Sequence, residues 1–265
     1  MMCLSENLNN AEFIKKQVEK LTKSSRPDIN RIIGIASILK ESGEHNELIH
    51  DLFLSGYRLL AQNMNSMHLY SDELFSTPGV VINAADFLNG IIGECANMLE
   101  SLETELRLEV KCELSSIKID EKAFIIAVMN LLQNALLYSP PKTAVIVILD
   151  NVCAEEKNYV CITVKNLLEI EKNNSDYEER SGQGLFVCTK IAEHYGGKLE
   201  YVQEGGSVSA NLMLPLEGEC SGIGLSCDFA MYLSDENKPV KLFMHEVLTA
   251  KRKNNKVDSL CLTKL

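Results

Sequence analysis

The chain has 265 residues, 46% of them hydrophobic, which suits one or two globular domains with a sizeable core. Its net charge of -11 runs against a nucleic-acid or anionic-lipid surface, both of which need clustered Lys and Arg, and its one basic run is the short Lys251-Arg252-Lys253. No apolar stretch reaches the ~18–20 residues of a membrane span, and a start carrying Ser5, Glu6, Asn7, Asn9 and Asn10 is not that of a signal peptide.

The nine cysteines (Cys3, Cys95, Cys112, Cys153, Cys161, Cys188, Cys220, Cys227 and Cys261) include no C-x-x-C pair and no ligand spacing with histidine. Several lie in apolar runs, so reduced core thiols of a soluble, cytoplasmic protein are expected.

From residue 8 to about 42 the periodicity predicts one long helix, with Phe13, Val18, Leu21, Ile29, Ile32, Ile33, Ala36 and Leu39 recurring at steps of three and four. Pro27 is expected to kink it. After Ser42-Gly43, a second stripe of Leu48, Ile49, Leu52, Phe53, Leu59, Leu60, Met64 and Met67 runs to about Tyr70. Two amphipathic helices with a short polar turn predict an antiparallel hairpin. Such a hairpin buries its stripes either by pairing with a second copy into a four-helix bundle or by packing onto the rest of its own chain.

Residues 71–79 are polar and end in Thr77-Pro78-Gly79, a candidate boundary. Beyond it the pattern becomes mixed. A short strand is expected at 80–83, a helix at 84–102, an alternating strand at 106–113 and a helix at 121–138. Strands at 144–149 and 159–164 follow, then a polar segment, a helix at 185–195, and a closing hairpin of 198–203 with 207–214 turned at Gly205-Gly206. Helices on one side of a sheet make an α/β sandwich.

Two runs in this half carry chemistry. Asn130-Leu-Leu-Gln-Asn134-Ala-Leu-Leu-Tyr138-Ser-Pro140 places two amides four residues apart, on one edge of a helix whose Leu131, Leu132 and Ala135 turn to the core. Ser181-Gly182-Gln-Gly184-Leu185 opens the next helix with glycines, where backbone N–H groups and the helix dipole favour a phosphate. The plainer alternative is that Asn130 and Asn134 satisfy backbone groups on a half-buried helix.

These residues resemble the cytoplasmic core of two-component sensor histidine kinases, whose ATP-binding domain belongs to the GHKL superfamily of gyrase, chaperone and mismatch-repair ATPases. The similarity spans roughly residues 10–216. Residues 130–140 resemble the family's N-box and residues 181–185 its second glycine box. Ile191-Ala-Glu-His-Tyr-Gly196-Gly197-Lys-Leu, Gly205-Gly206-Ser and Leu214-Pro215 resemble its closing sequence. The run Ile29-Asn30-Arg-Ile32-Ile33-Gly34-Ile-Ala36 is similar to part of the dimerisation and phosphotransfer helices.

The resemblance implies an α+β protein in three parts: a helical hairpin over 1–72, a histidine kinase-like ATPase domain over 79–216 and a C-terminal extension over 217–265. It implies ATP and Mg²⁺ as cofactors, a homodimer formed through the hairpin, and a response regulator or partner kinase as the protein it acts with. Asn134 would hold Mg²⁺, Asn130 would assist, Tyr138 and Leu185 would line the pocket, and Gly182 and Gly184 would let the backbone approach the phosphates. Carboxamide oxygens suit a hard cation without adding full negative charge beside a triphosphate.

The chain also departs from that pattern. The acceptor position three residues before Arg26 holds Lys23, a shifted alignment on Pro27 brings Thr22, and no histidine occurs in residues 1–44. Neither an ammonium nor a hydroxyl replaces a neutral, nucleophilic imidazole near pH 7. His50, followed by Asp51, is the one alternative acceptor, and otherwise an ordinary exposed helical residue. No metal site or triad is expected around His68 or His245, and His194 is expected to pack.

Where the family has Asp-x-Gly-x-Gly, this chain reads Asn166-Leu167-Leu168-Glu169-Ile170; Asn166 retains an acceptor, while Leu168 and Ile170 fill glycine positions. Leu137 stands where a basic residue is expected, and the lid segment carries Glu169, Glu171, Asp176, Glu178 and Glu179. Carboxylates near a triphosphate are repulsive unless a metal intervenes. The expectation is a pseudokinase with weakened ATP binding. Beyond 216, Ser221-Gly222-Ile-Gly224-Leu225 reads as a loop, 229–233 and 240–248 as a strand or helix docked on the core, and 251–265 as a loose tail.

Overall fold

The structure, a computed structural model, describes residues 29–38 apart from 31 and 36, 46–70, 79–100, 104–168 apart from 155, 183–218, and 240–251 apart from 242. Expectations about the Pro27 kink, Lys23, Thr22, the boundary residues 71–78, the lid, Ile170, Gly182 and the 221–233 stretch fall outside these residues, as do the side chains of His50 and His68. The chain divides into two compact units, Met1–Ser76 and Thr77–Leu265.

In the first unit the described part of 29–38 is helical (α1), and α2 runs over Asn46–Tyr70. Gly56 lets these helices approach, because a Cβ there would meet Ile33 Cγ1 at 2.7 Å. Ile29, Ile49, Leu60 and Ala61 are buried, and Phe53 stacks on Tyr57 one turn along α2 with ring centroids 6.2 Å apart. Ile32, Ile35, Ile38 and Leu59 remain exposed.

The second unit runs β1 (Val80–Asn83), α3 (Ala84–Leu99), β2 (Glu105–Val110), β3 (Ser116–Ile119), α4 (Glu121–Tyr138), β4 (Ala144–Ala154), β5 (Lys157–Leu167), α5 (Gln183–His194), β6 (Lys198–Glu204) and β7 (Ser207–Pro215). A further helix, α6, covers the described part of 240–251. The main sheet has the order β2-β4-β5-β7-β6, parallel between β2 and β4 and antiparallel elsewhere.

Period-two burial follows from the pleat. Val145, Val147 and Leu149 of β4, Val160, Ile162 and Val164 of β5, and Val208, Ala210, Leu212 and Leu214 of β7 turn to one buried face. Against the sheet pack α3 on β2, α4 on β5, and α5 on β6 and β7, as an α/β sandwich requires.

Several boundaries differ from expectation. β4 and β5 run on to Ala154 and from Lys157 to Leu167, because nine successive residues of each pair across the antiparallel ladder. A strand at 116–119, not anticipated, pairs with β1 from Val80↔Ile119 to Asn83↔Ser116. Residue 251, expected in a loose tail, is helical, and Lys251 is buried.

Helix ends follow their side chains. Asn83 caps α3 by accepting from the N–H of Ala85 and Asp86, and Asp120 caps α4 by accepting from Lys122 N at 2.9 Å and Ala123 N at 3.0 Å. At the end of α5, Gly196 takes φ +74°, Gly197 N donates to Ala192 O and Gly196 N to Glu193 O, the paired closure that favours glycine in the left-handed region. Gly205 and Gly206, at φ 56° and 78°, make the two-residue turn between β6 and β7.

Candidate functional site

The site is organised by α4, whose residues 123–133 are buried without interruption. A helix apolar on every side must be enclosed on every side. On α3, Phe87 meets Phe124 edge-on at 6.0 Å and Cys95 Sγ lies 3.9 Å from Met129 Sδ. On α5, Cys188 Sγ donates to the Ala127 carbonyl at 3.4 Å. Burial pushes the Cys95 and Cys188 thiols far up, so both are neutral packing groups.

Asn130 and Asn134 share one edge of this helix, as their spacing demands, but they are not equivalent. Asn130 is 1% exposed, and its Nδ2 donates to the Ile126 carbonyl at 2.9 Å. Its Oδ1 faces α5, where a Cβ added to Gly184 would meet it at 2.6 Å. The glycine is therefore required for contact between two motifs more than fifty residues apart. Asn134 is half-buried, as are Leu137 and Tyr138 further along, and Leu185 next to Gly184. Gly182 lies outside the described residues.

Asn166 sits near the end of β5 opposite Val208. It is buried, and its Nδ2 donates to the Leu167 carbonyl at 2.7 Å. Leu168, half-buried at a position where the resembled family has glycine, continues the ladder by donating its N–H to the Gly206 carbonyl at 2.8 Å. His194 stacks edge-on against Tyr195 at 4.8 Å, a packing arrangement.

A magnesium–nucleotide complex fits part of this arrangement. Asn134 and Tyr138 are accessible on the edge where α4 meets the glycine-opened start of α5, and a carboxamide oxygen is a suitable ligand for a hard cation. Asn130 is oriented by Ile126 and braced by Gly184, so it positions this junction.

Two polar contacts lie outside the sequence motifs. Gln133 Nε2 donates to Glu246 Oε2 at 2.7 Å, and Lys251 Nζ donates to the Ser139 carbonyl at 3.3 Å, joining α6 to α4. The signal for the first was present: Gln133 interrupts an otherwise apolar helix surface, and a buried amide demands a partner.

Among known proteins, a family model described as histidine kinase-, DNA gyrase B-, and HSP90-like ATPase matches residues 119–218. No curated protein matches the chain. The fold is similar to that of the Acinetobacter baumannii histidine kinase AdeS, with a TM-score of 0.50, 13% identity, and coverage of 72% of this chain and 96% of that one. It is also similar to full-length ShkA in complex with AMPPNP, with a TM-score of 0.56, 17% identity, and coverage of 78% of this chain and 47% of that one. Among the described residues no helix is long and apolar enough to cross a membrane. Residues 119–218, which hold α4, α5 and β4 to β7, thus carry the match to a histidine kinase-like ATPase core.

Proposed function

We propose that this protein is a cytoplasmic two-component-type signalling protein: a pseudokinase relative of histidine kinases with no acceptor histidine at the usual place and with weakened ATP binding. The observation that carries this reading is the mixed state of the asparagine edge. Asn134 and Tyr138 stay accessible, while Leu137 and Leu168 stand where the resembled family has a basic residue and a glycine.

In this reading Asn134 holds Mg²⁺, Asn130 orients the edge, Tyr138 and Leu185 line the pocket, and Gly182 and Gly184 admit the phosphates close to the backbone. Asn166 offers an amide oxygen to the base in place of the usual aspartate. Bound ATP would supply a transferable phosphoryl group. The chain lacks the nucleophile to take it in the usual position, since Lys23 is an ammonium near pH 7 and Thr22 a neutral hydroxyl. That ShkA was solved with AMPPNP supports nucleotide as the ligand of the ancestral site.

The partners in this reading are a second copy, joined through the helical hairpin, and a response regulator or partner kinase. Ile32, Ile35 and Ile38, at three-residue steps and 39%, 48% and 69% exposed, support the first, since they form an apolar stripe suited to a four-helix bundle. A second reading, an active kinase or phosphotransferase with His50 as acceptor, rests on His50 lying within α2 directly before Asp51.

Incubation with radiolabelled ATP and Mg²⁺, and separately with a phosphorylated response regulator, distinguishes the two. No label on the wild type is the expected result. Label on the wild type that disappears in His50→Ala would overturn the pseudokinase reading.

A further inference from the structure

Helix α6 lies beyond the family match and is packed as core: Val240, Phe243, Met244 and Val247 have no exposure, and Leu248 has 8%. Their spacing, with steps of three and four, gathers them on one face. Two charged residues are buried with them, Glu246 at 3% and Lys251 at 8%. A charge is retained at such depth only where a partner holds it. One has a partner on α4 and the other at its C-cap: Gln133 donates to Glu246 at 2.7 Å, and Lys251 donates to the Ser139 carbonyl at 3.3 Å.

These anchors bracket the asparagine edge. Gln133 follows Asn130 by three residues and precedes Leu137 by four, so it borders that edge on the helix surface. Ser139 directly follows Tyr138. The anchors occur in the same order on both helices, spanning ~9 Å along α4 and ~7.5 Å along α6 at 1.5 Å per residue. Helix α6 thus runs in the same sense as the last two turns of α4, level with Asn134, Leu137 and Tyr138.

We infer that α6 is an intramolecular cover that flanks the asparagine edge, leaving Asn134 and Tyr138 partly exposed, and that its docking opposes nucleotide binding there. This rests on the reading of Asn134 as a nucleotide-site residue. Glu246 is bonded to Gln133, the residue directly before Asn134, and a carboxylate held beside that edge would repel a triphosphate. A nucleotide that binds better when α6 is released must, by linkage, release α6 when it binds.

The test uses the full-length protein, with the magnesium complex of a nonhydrolysable ATP analogue as probe. Glu246→Ala and Gln133→Leu break the same contact from opposite sides. Both variants are expected to speed hydrogen exchange in 240–251 and to tighten analogue binding about five- to tenfold. Glu246→Gln, which removes the charge and keeps an amide for Gln133, should tighten binding with less release of the helix. Adding analogue to the wild type should speed exchange in the same segment, and Asn134→Ala should cancel the gain in Glu246→Ala.

Unchanged or weaker binding with 240–251 released overturns the cover, as does analogue protecting that segment in the wild type, or neither variant releasing it. If binding then still depends on Asn134, the nucleotide reading survives. If no protein binds analogue even with α6 released, the nucleotide reading falls and the cover falls with it.

Discussion

Gly184→Ala tests the junction between the two motif helices. The added methyl would sit 2.6 Å from Asn130 Oδ1, 3.4 Å from its Cγ and 3.7 Å from its Cβ. Asn130 has little freedom to yield, being 1% exposed and bonded to the Ile126 carbonyl. Overpacking of this kind costs about 1–3 kcal/mol. Replacing a helical glycine with alanine returns about 0.5–1 kcal/mol. The balance runs from about zero to a net loss of about 2.5 kcal/mol, and at its centre, about 1 kcal/mol, Tm falls by roughly 2–4 °C for a unit of this size.

The sign should reverse when Asn130→Ala removes the obstruction. Urea unfolding of wild type, both single variants and the double variant, followed by circular dichroism, should give a coupling energy of about 1–3 kcal/mol. If Gly184→Ala stabilises equally in both backgrounds, the helices do not meet at these atoms and the account of the junction is wrong.

Gly197→Ala should be more severe, because its methyl would collide with the Met213 backbone carbonyl, which the β6–β7 ladder holds in place; a loss of about 3 kcal/mol, seen as a lower urea midpoint, is expected. Asp120→Ala removes the acceptor for Lys122 N and Ala123 N and should cost about 1 kcal/mol in the same measurement, whereas Asp120→Asn should retain most of it. Native-state alkylation followed by peptide mass analysis should label exposed Cys153 well before Cys95 and Cys188, which stay unmodified until the protein unfolds, since burial keeps both thiols protonated.

Much of the ATPase core was legible in local pattern. The helix expected at 121–138 is α4 with those limits, because Asp120 caps its start and the Ser139-Pro140 pair cannot continue it. The turn at Gly205-Gly206 joins β6 to β7 as read, since two adjacent positive φ values favour glycine. Less legible were elements whose stability comes from distant partners. Strand 116–119 alternates polar and apolar residues but is only four residues long, too short to stand out, and it exists by pairing with 80–83. β5 was expected to stop at Val164, yet it continues through Asn166 because β7 supplies a ladder as far as Ser207.

The site divides in the same way. Amide spacing along α4 and the glycines opening α5 follow from helical period and backbone freedom, so they can be recognised in the chain alone, together with the resemblance they carry. Which asparagine turns inward, which stays accessible, and what Gly184 must avoid depend on a neighbour more than fifty residues away. Gln133 and Glu246 are 113 residues apart, and neither residue type foretells the other. Periodicity encodes what a residue does to its own helix; partner choice among buried polar groups is made only when the helices pack and each donor must find an acceptor.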